Sequence, residues 1–281
     1  MEILSSINET RRQIKHWKQC GCSIGFVPTM GYLHEGHQSL IIKSAEQNDK
    51  TVVSIFVNPT QFSPSEDLSS YPRDFEADAA MCEKSGVDLI FAPTPEEIYP
   101  DGCCTFVDMD KVTKTLCGTS RPTHFRGVCT VVNKLFNITL PDRAYFGQKD
   151  AQQLAAIKRM VKDLDMDLEI IGCPIVREPD GLAKSSRNAY LSPEERQAAR
   201  VVSRAVFEGE RLVKSGERDA EKIIAAMKEI IAAEPMAKID YVEVVDGQTI
   251  EKIALLQGSV LAAVAVFIGK TRLIDNFACE V

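Results

Sequence analysis

From Ser23 to Gly172 the chain alternates short runs rich in β-branched residues with stretches of helical periodicity, and few folds accept that alternation. SIGFVPT (23–29) reads as a strand and is followed by a helix from Gly36 to Asn48. TVVSIFVN (51–58) is apolar throughout, the pattern of a strand buried on both faces. A helix from Asp74 to Lys84 stops at Gly86 and leads into VDLIFAP (87–93). A helix over 127–137, the strand RAYFG (143–147), a helix from Lys149 to about Leu164 and the strand DLEIIG (167–172) complete the series. Such alternation predicts a parallel sheet with helices on both faces. Sheets of this kind bind ligands beyond the carboxyl ends of their strands, where the strand order reverses.

The remainder changes character. SPEE (192–195) is a capping box with Pro at the first helical position, and it predicts one long helix to about Lys214. A second helix is expected over 220–233, then strands over 239–246, 260–269 and 271–276. Consecutive helices followed by strands predict a smaller α+β domain. The reading is therefore an α/β parallel-sheet domain over 1–175 and a C-terminal α+β domain over 176–281 that carries the loop REPDGLAKSSRN.

The 281 residues are 44% hydrophobic and 26% charged, with a net charge of −7, which is ordinary globular composition and argues against a broad nucleic-acid or anionic-membrane surface. The longest apolar run, Val260 to Ile268, is too short to span a bilayer. Nothing like a signal peptide opens the chain. Nine scattered cysteines contain no C-x-x-C pair, so neither a zinc ribbon nor a thioredoxin-type site is expected. These features point to a soluble cytoplasmic protein with reduced thiols.

Chemistry enters at MGYLHEGH, Met30 to His37. Its two glycines are spaced as in a phosphate-wrapping P-loop, but His37 and Gln38 stand where Lys and a hydroxyl residue are required. Two histidines flanking a glycine directly after a strand meet the free N–H groups and positive dipole of a helix start, which favours an anion. Imidazole N–H groups would add to that field, most strongly if protonated. FVNPTQF (56–62) ends the second strand with Asn58 and Gln61 around a stiffening proline. In YFGQKDAQQL (145–154), Lys149 opposes the helix dipole unless an anion is present, and Gln153 shares a face with Leu154, Ile157 and Val161. Lys184, Ser185, Ser186 and Arg187 offer the charge and hydroxyls of a pyrophosphate clamp. RPTHFRG (121–127) adds Arg121, His124 and Arg126, though a helix start explains them nearly as well.

Taken in order, MGYLHEGH, FVNPTQF, YPRDFEAD, HFRGV, FGQKD and SSRN resemble the pantothenate synthetase (pantoate–β-alanine ligase) family over nearly the whole chain. The H-x-G-H element, here H-E-G-H (34–37), is shared more widely among nucleotidyltransferases and class I aminoacyl-tRNA synthetases, and FVNPTQF and FGQKD narrow it. The resemblance implies a Rossmann-like domain, a smaller C-terminal domain, a homodimer, and ligation of pantoate to β-alanine through a pantoyl adenylate with release of pyrophosphate and AMP. It implies an ATP site formed by Met30, Gly31, Tyr32, Leu33, His34, Glu35, Gly36, His37, Gly147, Gln148, Lys149, Asp150, Val176, Lys184, Ser185, Ser186 and Arg187. Of these, His34, His37, Lys149, Ser185, Ser186 and Arg187 carry the catalysis, with His37 as proton donor. Gln61 and Gln153 hold pantoate, Asn58 joins them as a substrate-binding residue, and Mg²⁺ accompanies ATP on ligands the sequence leaves open. Lys184 departs from the family, where Met or another apolar residue precedes SSRN. The alternative reading is a nucleotidyltransferase moving AMP onto a phosphate acceptor; a non-catalytic ATP-binding regulator is a third.

Overall fold

The computed structural model describes residues 1–63 and 68–281. By internal contacts the chain forms two compact units. One comprises residues 1–109, 121–147 and 156–173; the other comprises 110–120, 148–155 and 174–281. The sequence suggested a single cut at 175/176, whereas the units interleave along the chain.

The first unit is built on a six-stranded sheet in the order β1-β4-β3-β2-β5-β6. Its strands are β1 (Glu2–Leu4), β2 (Ile24–Thr29), β3 (Lys50–Ile55), β4 (Leu89–Phe91), β5 (Arg143–Gly147) and β6 (Glu169–Cys173). All neighbours run parallel, as the alternation predicted. The helices are α1 (Ile7–Gln19), α2 (Glu35–Gln47), α3 (Phe75–Lys84), the single turn α4 (Pro95–Ile98) and α6 (His124–Thr139). The periodicity had not revealed β1 or α1. Each is short on apolar signal: α1 buries only Thr10, Ile14 and Trp17, and β1 is an exposed edge strand. A core of Val27, Leu40, Ile41, Val53, Val87, Ile90 and Tyr145 joins α2 and neighbouring elements to the sheet.

The order reverses beside β2, which is followed by β3 on one side and flanked by β5 on the other. The ladder between β2 and β5 pairs only Gly25 with Arg143 and Phe26 with Ala144, although β2 continues to Thr29 and β5 to Gly147. Each strand instead stays paired with its outer neighbour to its last residue, Thr29 with Ile55 and Gly147 with Cys173. The sheet is therefore parted at the carboxyl ends of β2 and β5, the place where open α/β sheets bind ligands.

The second unit holds α5 (Cys117–Ser120), the first turn of α7 (Ala151–Asp163), α8 (Pro193–Ala198), α9 (Arg200–Lys214) and α10 (Ala220–Ala232). Three antiparallel strands follow in the order β7 (Ala237–Asp246), β8 (Ser259–Ile268) and β9 (Thr271–Glu280). The central strand β8 is apolar and almost wholly buried, and its Val260, Ala262, Val264 and Val266 pack with Val202, Val206, Ile223 and Met227 of α9 and α10. The capping box forms, with Ser192 and Glu195 each accepting from the other's backbone N–H. The helix it opens is not continuous. The Val202 N–H bonds the carbonyl of Ala199, one residue short of α-helical spacing, and this tightened step separates α8 from α9. No helix among the described residues is long and apolar enough to cross a membrane.

Ile90 is fully buried in the first core. Ile90→Ala should lower unfolding free energy by about 2–5 kcal/mol in urea titrations, as other buried aliphatic truncations do; a loss below about 1 kcal/mol would mean that this core is loosely packed.

Candidate active site

MGYLHEGH spans the end of β2 and the start of α2. The chain turns through two left-handed residues, Gly31 (φ 82°) and Tyr32 (φ 52°). A Cβ on Gly31 would stand 2.9 Å from Asp78 Oδ2 and 3.1 Å from Ile55, so the turn has room only for glycine. Asp78, buried on α3, accepts from the Tyr32 N–H at 2.8 Å and the Leu33 N–H at 2.6 Å. Burial pushes its carboxyl above the usual aspartate range despite those two bonds. The sequence reading quoted YPRDFEAD without singling out Asp78. The available signal was an acid within the buried stripe it shares with Cys82.

The two histidines cap α2 reciprocally. His34 Nδ1 accepts from the Gly36 N–H at 3.1 Å, and His37 Nδ1 accepts from the His34 N–H at 3.3 Å. Their rings lie 4.1 Å apart. A Cβ on Gly36 would fall 2.8 Å from the His34 ring, which explains the glycine between them. Each Nδ1 thus accepts from a backbone N–H, a geometry that leaves Nε2 as the donor nitrogen of the ring.

Asn58 and Gln61 bracket a 3-10 turn, Pro59–Gln61, after β3. Asn58 is buried, and protein groups engage its whole amide. Nδ2 donates to Gln61 Oε1 at 3.0 Å and to the Gly127 carbonyl at 3.2 Å. Oδ1 accepts from the Tyr99 hydroxyl at 2.8 Å and the Thr60 hydroxyl at 2.9 Å. Gln61 Nε2 in turn contacts Met30 Sδ at 3.1 Å, bringing the second motif onto the first. His124 Nδ1 lies 2.9 Å from the Gln61 carbonyl, which Arg121 also reaches at 3.4 Å, while Arg126 stacks on Phe106. The HFRG segment thus holds the backbone of Gln61.

The other candidates, apart from Gly147 at the end of β5, belong to the second unit. Gln148, Lys149 and Asp150 form a 3-10 turn, and α7 begins at Ala151 instead of Lys149. Lys149 Nζ lies 3.5 Å from Asp150 Oδ2. On α7 the fully buried amide is Gln152, bonded to the Cys117 N–H and to the carbonyls of Val112 and Thr115. Gln153, expected to face the packing, is only half-buried. Residues 176–184 form a hairpin in which the Lys184 N–H bonds the Val176 carbonyl at 3.0 Å. Lys184 Nζ sits 3.3 Å from Glu178. Ser185 caps a 3-10 turn, Ser186–Tyr190, by accepting from the Arg187 N–H. All nine cysteines are free, and burial pushes the thiols of Cys82 and Cys129 up to about 12.

In the first unit an imidazole pair at a helix start, beside a parted sheet, suits an anion; in the second unit the Lys184–Arg187 segment offers cations and hydroxyls. The family model described as pantoate-beta-alanine ligase matches residues 2–278. The chain belongs to that family, and it is an enzyme of that class. It is 59% identical over 278 residues to the pantothenate synthetase of Ruminiclostridium cellulolyticum, covering 99% of each chain. The crystal structure of pantothenate synthetase from Thermus thermophilus superposes with a TM-score of 0.94 at 43% identity, covering 99% of both chains. The pantoate-beta-alanine ligase of Francisella tularensis, solved with β-γ ATP and β-alanine, superposes with a TM-score of 0.80 at 36% identity, covering 99% of this chain and 97% of that one. The Rossmann-like parallel sheet and the smaller α+β part expected from sequence are both borne out, the latter with an antiparallel three-stranded sheet.

Asp78 yields a test of stability against function. Its raised carboxyl pKa means that the folded state binds that proton more readily than the unfolded chain. Its contribution is therefore greatest below the ordinary aspartate value, about 3.9, and is lost as pH rises through its raised value. Asp78→Asn should lower turnover because the amide cannot accept both loop N–H groups, and its melting-temperature deficit relative to the wild type should be larger in acid than at pH 7. A deficit that grew from acid to neutral pH would contradict this.

Proposed function

We propose that the enzyme condenses (R)-pantoate with β-alanine at the expense of ATP through a pantoyl adenylate. The observation that carries the reading is the His34–His37 cap: two imidazoles held through Nδ1 at a helix N-terminus beside the parted ends of β2 and β5. The relative solved with β-γ ATP and β-alanine supports the same substrates here.

In the first step a carboxylate oxygen of pantoate attacks the α-phosphorus, the bond to the bridging oxygen breaks and pyrophosphate leaves. The nucleophile is already an anion, so the site must align the reactants and stabilise charge more than remove a proton. In this reading Met30 to His37, Gly147 to Asp150, Val176 and Lys184 to Arg187 hold ATP. The Nε2–H of His37 donates to charge that grows on the phosphates, with His34, Lys149, Ser185, Ser186 and Arg187 around it. In the second step the free amine of β-alanine attacks the acyl carbon, and AMP leaves with the carbon–oxygen bonding pair. Gln61 and Gln153 hold pantoate, and Gln61 also borders the β-alanine position. Asn58, with its amide bonded to protein, acts by orienting Gln61.

Magnesium supplies charge neutralisation when it arrives with ATP. No group of three or more His, Cys, Asp or Glu side chains that could cage a metal occurs among the described residues. Single carboxylates such as Asp150 suit an ion that keeps its water and rides on the phosphates. A cytoplasmic homodimer belongs to the same proposal, and sedimentation of the purified enzyme tests the dimer.

The order of steps is tested by isotope exchange. Labelled pyrophosphate should enter ATP when pantoate is present and β-alanine absent. Exchange that required β-alanine would overturn the stepwise order, and exchange without pantoate would favour adenylyl transfer to another acceptor. His37→Ala should slow this exchange about 100- to 1,000-fold with little change in ATP affinity; near-normal exchange would remove His37 from the mechanism.

Lys184 gives a second test. Lys184→Met removes a proposed phosphate contact and leaves the Glu178 carboxylate without that cation, so it should raise the KM for ATP. Adding Glu178→Gln should recover only the part due to charge repulsion. A double variant restored to the wild-type KM would mean that Lys184 merely neutralises Glu178 and does not bind the phosphates.

A further inference from the structure

We infer that Asp275 and Asn276, neighbours on β9, are positioning residues that hold the Gln148–Asp150 turn and the hairpin leading to Lys184–Arg187 in their working geometry. The inference rests on the reading of those two segments as the nucleotide's phosphate site.

Both side chains are buried, at 1% and 2% relative exposure, on a strand whose Leu273 and Phe277 belong to the apolar core. A carboxylate and an amide in such a place need partners, because an unpaired buried polar group is costly. The ladder with β8 is regular here, Asp275 opposite Val264 and Asn276 opposite Ala263, so the two side chains leave opposite faces of the sheet.

Asn276 Nδ2 donates to the carbonyl of Gln148 at 3.0 Å and to that of Lys149 at 2.9 Å. These carbonyls belong to the two peptide planes on either side of the Lys149 Cα. A residue has only two soft backbone dihedrals, and each is the rotation of one of those planes about Cα. Pinning both planes fixes the direction in which the Lys149 side chain leaves the backbone. The amide orientation is dictated as well, since the reverse would set an oxygen against two carbonyl oxygens.

Asp275 works on the other face. Its two oxygens accept from Arg177 Nη1 at 2.7 Å and Nη2 at 3.0 Å, a bidentate pair that fixes angle as well as distance. Arg177 also donates to the Gly181 carbonyl at 3.0 Å and stacks over Phe207 of α9. It opens the hairpin in which residues 177 and 183 bridge, one residue before Lys184. The Gln148–Asp150 and Ser186–Tyr190 turns both pack on β9. The Asn276 N–H closes onto Asp275 Oδ1 at 2.8 Å, linking the two supports.

The test is a double-mutant cycle between Asn276→Ala and Lys149→Ala, read as ATP affinity by calorimetry and as KM and kcat for each substrate. Asn276→Ala should weaken ATP use by about ten- to a hundredfold, the scale of a misplaced group, with KM for pantoate and β-alanine within about twofold. In the Lys149→Ala background it should change little further, since its effect runs through that lysine. Losses that multiply, or that fall equally on all three substrates, would overturn the inference. Should Asn276→Ala fail to fold, Asn276→Ser, which retains one donor, takes its place and should fall between it and the wild type; failure of both to fold would make the residue merely structural and likewise overturn it. If Lys149→Ala alone leaves ATP use intact, the phosphate-site reading fails. If Lys149→Ala is impaired and Asn276→Ala is not, only the present inference fails.

Discussion

Two parallel strands that part company before they end set the terms for the rest of this molecule. β2 and β5 share only their first two register pairs, and each finishes against its outer neighbour. Past that point the two strands no longer pair, and a ligand held where open α/β sheets hold theirs would meet what the two strand ends present. β2 presents a helix start, and β5 presents a glycine that runs directly into Gln148 and Lys149. The parallel order makes this possible, because every strand then delivers its loop to the same edge.

At the β2 end the sequence meets two demands with one device. A helix start needs acceptors for its free N–H groups, and a polyphosphate site needs donors. Serine or aspartate would satisfy the helix but add no outward N–H. A histidine can do both, since Nδ1 accepts from the backbone while the ring's other nitrogen is a donor. Spacing the two rings three residues apart lets each accept from the same short segment, and the residue beneath the first ring has to be glycine. Asp78 then fixes the left-handed turn before the cap. Burial pushes its carboxyl up while the two loop N–H groups pull the other way.

Much of this was legible in the sequence. The strands β2 to β6 announce themselves through β-branched runs, and the motif order MGYLHEGH, FVNPTQF, FGQKD and SSRN identifies the family. Less legible were features set by packing at a distance. The edge strand β1 and the helix α1 carry too few apolar residues for periodicity to find them. The break at Ala199 arises from one tightened hydrogen bond inside a pattern that reads as continuous. The buried glutamine of α7 is Gln152 and not Gln153, because its partners at Val112, Thr115 and Cys117 lie over 30 residues away in sequence. Asp78, Tyr99 and Asn276 escape for a related reason: each acts on another residue's backbone or amide, and no local pattern records that.

The charges follow the same logic. The chain carries a net charge of −7, yet the proposed substrate is a polyanion. In the second unit Lys149 sits beside Asp150, Lys184 beside Glu178, Arg177 on Asp275 and Arg196 on Asp180. Cations left uncompensated would repel one another and strain the hairpin before any ligand arrived. Paired ones leave it rested, and binding becomes an exchange of one anion for another. Two of these pairs differ in kind. Lys149–Asp150 and Lys184–Glu178 are monodentate, at 3.5 and 3.3 Å, and open to exchange. Arg177–Asp275 is bidentate with its carboxylate buried, which suits a strut and not a ligand. A phosphate competing for this unit should therefore draw on the two lysines and leave the arginine in place, so that the frame stays rigid while the ligand contacts change.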